Sequence, residues 1–366
     1  MFKNAFTILS IVFLLLYVKS SAKDMADSSV YKIRLNQIGF YPGASKVAIV
    51  LSDKEGSFFL QTANKQTVFS GKLKRSNQPD FAGKYTWVAD FSGYRKSGRY
   101  VLFVPDIGNS YPFTIGSSVH RKVADASVKA FYFIRASIPL TEKYAGKWHR
   151  AEGHPDNKVL IHASAASAGR PEGTVISSPR GWYDAGDYNK YIVNSGISTY
   201  TLLALYEDFP VYMKSVKLNI PESGNGLPDI LNEALWNIRW MLTMQDPDDG
   251  GVYHKLTNAA FDKMIMPDMA ATTRYVVQKS TAATLDFAAV MAQASRIFKQ
   301  FPNELPGLAD SCLQASTKAW IWAMKNPGVL YNQTAINAKY DPKITTGEYG
   351  DRNVNDEFIW AASELF

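Results

Sequence analysis

The first third of the chain contains short runs in which hydrophobic and polar positions alternate. Between Val30 and Ile115 these runs are VYKIRL, KVAIVL, SFFLQT, TVFSGKL, KYTWVADF, GRYVLFV and SYPFTI. Turn-forming pairs such as Pro42-Gly43 separate them. A period of two, interrupted by a turn about every ten residues, is typical of antiparallel strands. The pattern therefore predicts a β-sandwich of immunoglobulin type over residues 30–116.

The pattern changes after Gly116, where apolar positions recur every three or four residues over longer segments. This spacing places apolar side chains on one face of a helix. The predicted helices are 119–136, 191–208, 227–244, 281–301, 308–324 and 356–366. Two long loops rich in Gly, Pro, Asp and His, 143–181 and 246–279, lie between them, and loops of that length usually carry function. Residues 117–366 are therefore predicted to form a second, all-helical domain.

The last predicted helix keeps its apolar spacing as far as Phe366 and contains no Gly, Asn or Pro that would end it. Natural chains seldom end on an apolar helical face. We therefore expect the polypeptide to be cut before its helical fold is complete. Such a partial fold would expose apolar surface and make the isolated chain only marginally stable.

An apolar run near the N-terminus predicts a targeting segment. Lys3 precedes the run 5–18, which is too short to span a bilayer as a helix but fits the core of a signal peptide. Small residues suit cleavage after Ala22, so residues 1–22 are predicted to be a signal peptide and the mature chain to be secreted or periplasmic. A membrane anchor is the alternative, because Lys19 follows the run directly.

Composition narrows the class of protein. The chain is 46% hydrophobic and 13% aromatic, which excludes intrinsic disorder. Its formal charge of +7 comes from basic residues scattered along the chain, so a nucleic-acid partner is not expected. Cys312 is the single cysteine, which excludes an intramolecular disulfide and a zinc site made of cysteines.

The strongest candidate for chemistry is the segment GWYDAGDYNKY, residues 181–191. Asp184 and Asp187 flank a small Ala-Gly pair, and aromatic residues surround them. Aromatic rings stack on pyranose rings and an aspartate can activate water, so the pattern suits hydrolysis of a sugar polymer. From composition alone, a loop that caps the helix beginning at Tyr191 explains the same residues.

Three segments resemble glycoside hydrolase family 9, the inverting endo-β-1,4-glucanases. GWYDAGDYNKYIVNSG resembles the loop with the family's catalytic base, and DEFIWAASELF at 356–366 resembles a recurrent helix of the family. LNQIGFYPGASKVAIV at 35–50 resembles the first strands of the immunoglobulin-like domain in one branch. The resemblance implies a multidomain chain, in which an immunoglobulin-like β-sandwich precedes an all-α (α/α)6 barrel with about its first half present.

The resemblance also implies roles for individual residues. Asp187 corresponds to the general base that deprotonates the attacking water, and Asp184 to the second carboxylate that helps to hold this water. His254 matches a position whose imidazole contacts sugar hydroxyls, with a loop histidine bonded to its own backbone as the alternative. Trp182 and Tyr183 either form platforms for sugar rings or wedge the loop onto the barrel. The expected partner is a β-1,4-glucan.

One catalytic group is absent from these matches. An inverting mechanism needs two carboxyl groups, roughly 6.5–9.5 Å apart across the scissile bond. The family's general acid is a glutamate in a later segment, and Glu348, Glu357 and Glu364 fall outside its motif. The chain is therefore expected to carry half of the mechanism, and a non-catalytic carbohydrate-binding protein or degenerate fragment is the alternative.

Two loops contain residue types that bind metals. The first offers three histidines and a carboxylate, namely His149, His154, His162 and Asp156. Some relatives bind zinc in this region through cysteine as well as histidine, but no cysteine is nearby, so a hydrogen-bonded loop is favoured. The second offers oxygen ligands for a structural calcium ion, namely Asp246, Asp248, Asp249 and Gly250. A plain turn is the alternative there, and no cofactor is expected to be required.

Overall fold

The computed structural model describes residues 32–79, 83 and 85–366. The chain divides into two compact units, the first ending at Ala124 and the second beginning at Asp125. The predicted signal peptide lies outside the described residues. Within the described part, no helix has both the length and the apolar character needed to cross a membrane.

The described part of the first unit consists of short antiparallel strands in two sheets. The strands are β1 (Ile33–Arg34), β2 (Val47–Val50), β3 (Ser57–Thr62), β4 (Thr67–Lys72), β5 (Lys74–Arg75), β6 (Trp87–Asp90), β7 (Gly98–Val104), β8 (Gly108–Asn109) and β9 (Phe113–Ile115). One sheet has the order β1-β2-β6-β5, and the other has the order β4-β3-β7-β8 with β9 also paired to β7. The prediction of an immunoglobulin-like sandwich is confirmed, although the short strands β5 and β8 were not predicted.

Alternation within β7 explains how the core of this sandwich forms. Tyr100, Leu102 and Val104 are buried, whereas the residues between them are more exposed. Successive side chains of a strand point to opposite faces of the sheet, so these three share one face. Leu102 lies directly opposite Leu60 of β3, which is also fully buried.

The second unit is mainly helical. Its helices are α1 (Arg121–Phe133), which begins within the first unit, α2 (Glu142–Ala145), α3 (Ile192–Asp208), α4 (Pro210–Ser215), α5 (Asp229–Thr243), α6 (Thr281–Phe298), α7 (Leu308–Lys325), α8 (Gln333–Lys339) and α9 (Asn355–Leu365). All six predicted helices are present, and their ends agree with the predictions to within three residues. The short helices α2, α4 and α8 were not predicted.

Helix α6 lies at the centre of the second unit. Seventeen of its 18 residues are buried, and it packs against α3, α7 and α9. Ser280 caps its N-terminus by accepting a hydrogen bond from the Ala283 N–H at 3.2 Å. A helix buried on all sides is typical of the core of a large domain, so α6 is the element around which the neighbouring helices assemble.

A small sheet lies among the helices. Its strands are β10 (Val159–Ile161), β11 (Val175–Ile176), β12 (Lys190–Tyr191), β13 (Lys255–Thr257) and β14 (Tyr275–Val276), in the order β11-β10-β14-β13-β12. Most of it comes from the two segments interpreted as long loops. Strands of two or three residues are too short to show a period of two, which explains why they were not predicted. The pairing of β12 with β13 brings the aspartate loop beside residues 254–257.

Candidate active site

The loop carrying the two aspartates is closed by its own backbone. The Asp184 N–H donates to the Asn189 carbonyl oxygen (3.1 Å), and the Asp187 N–H donates to the Asp184 carbonyl oxygen (3.0 Å). Ala185 adopts a positive φ of 40° at the tip of this turn. Helix α3 begins after Tyr191, and no side chain caps it. The two aspartates are therefore not helix caps, which removes the alternative explanation of the motif.

Asp184 is held by one donor from its own motif and one from a distant segment of the chain. Its Oδ1 accepts from Asn194 Nδ2 at 2.9 Å, in the first turn of α3. Its Oδ2 accepts from the Tyr349 hydroxyl at 2.7 Å, and this hydrogen bond raises the pKa of Tyr349. The carboxylate stays partly exposed, so it is fixed in orientation and remains accessible to a ligand.

Asp187 has a separate set of partners. Its Oδ1 accepts from the Asn189 N–H at 2.7 Å, and its Oδ2 accepts from the Tyr191 hydroxyl at 3.1 Å. Partial burial raises the pKa of Asp187, and the charge of Asp184 adds to this, although both hydrogen bonds oppose the rise. A carboxylate with a raised pKa is a stronger proton acceptor, which suits a general base.

The Tyr191 hydroxyl connects Asp187 to a buried lysine. Besides donating to Asp187, it accepts from the Gly347 N–H at 3.2 Å. Lys255, opposite Tyr191 in the sheet, donates to the Gly347 carbonyl oxygen at 2.6 Å and to Thr346 Oγ1 at 3.1 Å. Burial lowers the pKa of Lys255 to about 7. Lys255 therefore fastens the segment 345–349 onto the aromatic residue that orients Asp187.

The roles of Asn194, Lys255 and Tyr349 were not predicted from the sequence. Asn194 lies within the motif that resembles family 9, so a local signal for it existed. Lys255 and Tyr349 reach the aspartate loop through strand pairing and through the segment 345–349, and no sequence spacing indicates either approach.

His254 is enclosed by the chain. Its exposed fraction is 1%, and its ring stacks on Tyr331 with 4.0 Å between ring centres. Nδ1 is 2.8 Å from Ser280 Oγ, and Nε2 is 2.8 Å from the Glu348 carbonyl oxygen. Burial lowers the pKa of His254 to about 3, so the ring is neutral. A contact between this imidazole and a sugar hydroxyl requires one of these two hydrogen bonds to be exchanged.

Trp182 and Tyr183 lie in the interior. The exposed fraction of Trp182 is 3%, and its ring packs against Phe131 with 4.7 Å between ring centres. Tyr183 is 6% exposed, and its hydroxyl is 2.9 Å from His154 Nδ1. Of the two alternatives for these rings, the geometry favours the wedge that anchors the loop, because a buried ring presents no face to a sugar.

The residues considered for zinc do not converge on one point. His149 bonds the Gly146 carbonyl oxygen, and His162 bonds the Pro342 carbonyl oxygen. His154 bonds the Tyr183 hydroxyl. Asp156 is buried and forms ion pairs with Lys190 (2.7 Å) and Arg274 (3.1 Å). Across residues 32–79, 83 and 85–366, no three His, Cys, Asp or Glu side chains are grouped to hold a metal ion.

The turn considered for calcium is occupied by an ammonium group. Lys279 Nζ lies 2.6 Å from Asp246 Oδ2 and 2.8 Å from Asp249 Oδ2. A calcium ion prefers six to eight oxygen ligands and no competing cation. The residues present therefore do not fit a calcium ion.

The three glutamates outside the family motif have other partners. Glu348 Oε1 accepts from the Gln333 N–H at 2.8 Å, and Glu364 pairs with Arg296 at 2.9 Å. Glu357 is buried on α9, and burial raises its pKa to about 7. Among the contacts of the described residues, no hydrogen bond or ion pair joins these side chains to either aspartate. The assignment of the general acid to a later segment stays a prediction from the family resemblance.

Comparison with known proteins identifies both units. The profile of glycosyl hydrolase family 9 matches residues 120–366, and that of the cellulase N-terminal Ig-like domain matches residues 29–109. A xyloglucan-specific endo-β-1,4-glucanase of Bacteroides ovatus is 51% identical over 335 residues, which cover 91% of this chain and 57% of that protein. Endoglucanase D of Acetivibrio thermocellus is 32% identical over 365 residues, covering 96% of this chain and 54% of that protein.

Solved structures agree with these matches. A Bacteroides ovatus GH9 structure superposes with a TM-score of 0.88 at 50% identity, covering 91% of this chain and 61% of that one. A metagenome-derived family 9 endoglucanase superposes with a TM-score of 0.80 at 31% identity, covering 91% and 60%. The chain thus spans little more than half the length of the curated relatives it matches. It belongs to glycosyl hydrolase family 9, with an immunoglobulin-like domain in front of the catalytic domain.

Proposed function

We propose that this chain contributes the base-bearing part of an inverting β-1,4-glucanase. In this proposal Asp187 takes a proton from a water molecule, and the water attacks the anomeric carbon on the face opposite to the leaving oxygen. Asp184 accepts the second hydrogen bond of this water and fixes its position. The supporting observation is the pair of partly exposed carboxylates in one closed turn, each held by its own donors.

The proposed substrate is a β-1,4-glucan backbone, with xyloglucan as the first candidate. The support is the 51% identity to a xyloglucan-specific relative, compared with 32% to Endoglucanase D. The resemblance assigns the general acid to a later segment of the family, so we expect the 366-residue chain alone to bind glucan without cleaving it.

We also propose that residues 1–22 direct export, and N-terminal sequencing of secreted material should then begin at Lys23.

Binding and cleavage can be measured separately. In affinity electrophoresis, xyloglucan should retard the chain more than carboxymethylcellulose does, and neither polymer should release reducing sugar. Joining the chain to the C-terminal part of the Bacteroides ovatus relative should restore hydrolysis. Rapid hydrolysis by the chain alone would contradict the proposal that the general acid lies outside these 366 residues. A joined protein that binds but does not cleave would instead favour the non-catalytic, carbohydrate-binding alternative.

Replacing Tyr191 by Phe should raise the pKa of Asp187 further. In the unsubstituted chain, the Tyr191 hydroxyl stabilises the ionised form of Asp187 through a hydrogen bond. A hydrogen bond to a charged group contributes about 1.5 kcal/mol or more, so its loss should raise the pKa of Asp187 by about one unit. Carboxyl ¹³C NMR titration of the chain measures this directly. Tyr349→Phe is the matched control, because it removes a donor from Asp184 instead. An unchanged Asp187 midpoint in Tyr191→Phe would show that the hydroxyl does not tune the base.

A further inference from the structure

Asn189 holds both aspartates of the loop through its backbone. Its carbonyl oxygen accepts from the Asp184 N–H at 3.1 Å, and its N–H donates to Asp187 Oδ1 at 2.7 Å. Asn189 is 1% exposed, so the contacts that fix it are buried. A rotation of the Asn189 backbone would therefore change the orientation of the two carboxylates relative to each other.

The side-chain oxygen of Asn189 is fixed by residues from the neighbouring segments. Its Oδ1 accepts from the Asn258 N–H at 2.9 Å and from Thr257 Oγ1 at 3.1 Å. Arg274 Nη1 lies 3.5 Å from the same oxygen and donates to Asn258 Oδ1 at 2.7 Å. Arg274 thus acts on Asn189 mainly through Asn258, because it holds the Asn258 side chain in place.

A buried aspartate orients Arg274. Asp156 Oδ1 accepts from Arg274 Nε at 3.1 Å, and Asp156 Oδ2 accepts from Arg274 Nη2 at 3.4 Å. The same Oδ2 pairs with Lys190 Nζ at 2.7 Å, and Lys190 directly follows Asn189 in the chain. Burial alone would raise the pKa of Asp156, but the charges of Lys190 and Arg274 bring it below its usual value. An ionised Asp156 therefore holds both the residue next to Asn189 and the arginine that contacts it.

We infer that Arg274 and Asp156 are positioning residues for the proposed hydrolysis, because through Asn189 they set the orientation of Asp184 and Asp187 toward the attacking water. The inference rests on the proposed function. Among the described contacts, neither Arg274 nor Asp156 bonds an aspartate of the loop directly. An arginine suits this role, since its planar guanidinium reaches a carboxylate and an amide oxygen at once, whereas a lysine ammonium is a compact point charge.

The inference is tested with Arg274→Lys and Asn189→Ala. The first keeps a cation beside Asp156 but loses the guanidinium that reaches Asn258, and the second keeps the backbone of Asn189 but loses its anchored side chain. The Asn189 N–H lowers the pKa of Asp187, so a loosened Asn189 should raise the Asp187 midpoint by about half a unit in carboxyl ¹³C NMR titration of the 366-residue chain.

The same substitutions should lower the rate when the chain is joined to the C-terminal part of the Bacteroides ovatus relative. On xyloglucan, kcat should fall by about tenfold or more, because small misplacements of catalytic groups are costly. KM should change little, since neither substitution alters the proposed contacts with the polymer. A merely structural role would lower the amount of folded protein but would leave the Asp187 midpoint where it is.

Arg296→Met is the matched control, because it removes the ion pairs of an arginine with Glu207 and Glu364 instead. It should leave both the Asp187 midpoint and kcat unchanged. Near-UV circular dichroism shows whether each variant is folded. An unchanged midpoint or an unchanged kcat in a folded Arg274→Lys or Asn189→Ala would overturn the inference. Failure of both variants to fold would also overturn it, since the two residues would then serve the fold as a whole.

Failure of the proposed function would look different. A joined protein that cleaves no glucan without any substitution would count against the proposed function. The NMR titration of the 366-residue chain requires no cleavage, so it tests the link from Arg274 to Asp187 in either case.

Discussion

Asp187→Asn is expected to abolish hydrolysis while polysaccharide binding stays intact. Asparagine is nearly isosteric with aspartate but cannot take a proton from the attacking water. Loss of a general base costs about 10²–10⁴-fold in rate. The measurement uses the chain joined to the C-terminal part of the Bacteroides ovatus relative. Initial rates on xyloglucan and retardation in xyloglucan gels are compared for the joined protein with and without the substitution.

Asp184→Asn is the matched control for this prediction. It should also reduce the rate severely, because one carboxylate orients the water less well than two. Added azide should restore activity more to Asp187→Asn than to Asp184→Asn, since a small anion can attack in place of the activated water in an inverting enzyme. Equal rescue of both variants would contradict the assignment of Asp187 as base, and full activity of Asp187→Asn would exclude it.

Arg135→Met is expected to produce the largest loss of stability. Arg135 is fully buried just after α1, and its guanidinium pairs with Glu233 at 3.0 Å and Glu222 at 2.9 Å. Methionine keeps much of the volume but leaves the buried Glu233 carboxylate without a cation. Breaking a buried pair in this way costs about 3–5 kcal/mol in the free energy of unfolding. Urea denaturation followed by tryptophan fluorescence measures the loss.

The pH dependence and a second variant separate charge from volume. Burial already raises the pKa of Glu233 to about 7, and loss of Arg135 should raise it further. Protonation then stabilises the folded variant, so the loss should be larger in mildly alkaline than in mildly acidic buffer. Adding Glu233→Gln should recover part of the loss. Arg296→Met removes two pairs of a half-exposed arginine, with Glu207 and Glu364, and should cost at most about 1 kcal/mol for each pair.

The elements predicted from sequence are those whose cause is local. Apolar residues recur every three or four positions in helices α3, α5, α6, α7 and α9, and apolar and polar residues alternate over six or seven positions in β3 and β7. The type of each element can therefore be predicted from its own sequence. The segment with Asp184 and Asp187 was identified for a similar reason, because the motif is contiguous. The small sheet was missed because its strands pair residues far apart in sequence.

Burial of the aromatic residues near the site could not be predicted locally. Trp182, Tyr183 and His254 have side chains that occur both in cores and in sugar-binding clefts, and the neighbouring sequence is the same in either case. What decides their burial is the approach of Phe131, His154 and Tyr331 from other segments. Tyr349 was missed because it reaches Asp184 across 165 positions of the chain.

The near-complete burial of α6 has a consequence for how the second unit opens. Arg296 is the one residue of α6 that is not buried. The backbone amides of α6 therefore cannot exchange their hydrogens through local opening of a solvent-exposed face. The α6 amides should therefore exchange with deuterium only when α3, α7 and α9 separate from it, at the rate of global unfolding. Loops such as 260–270, with several exposed apolar side chains, should exchange orders of magnitude faster. Exchange mass spectrometry on α6 peptides would then report the global stability of the catalytic domain.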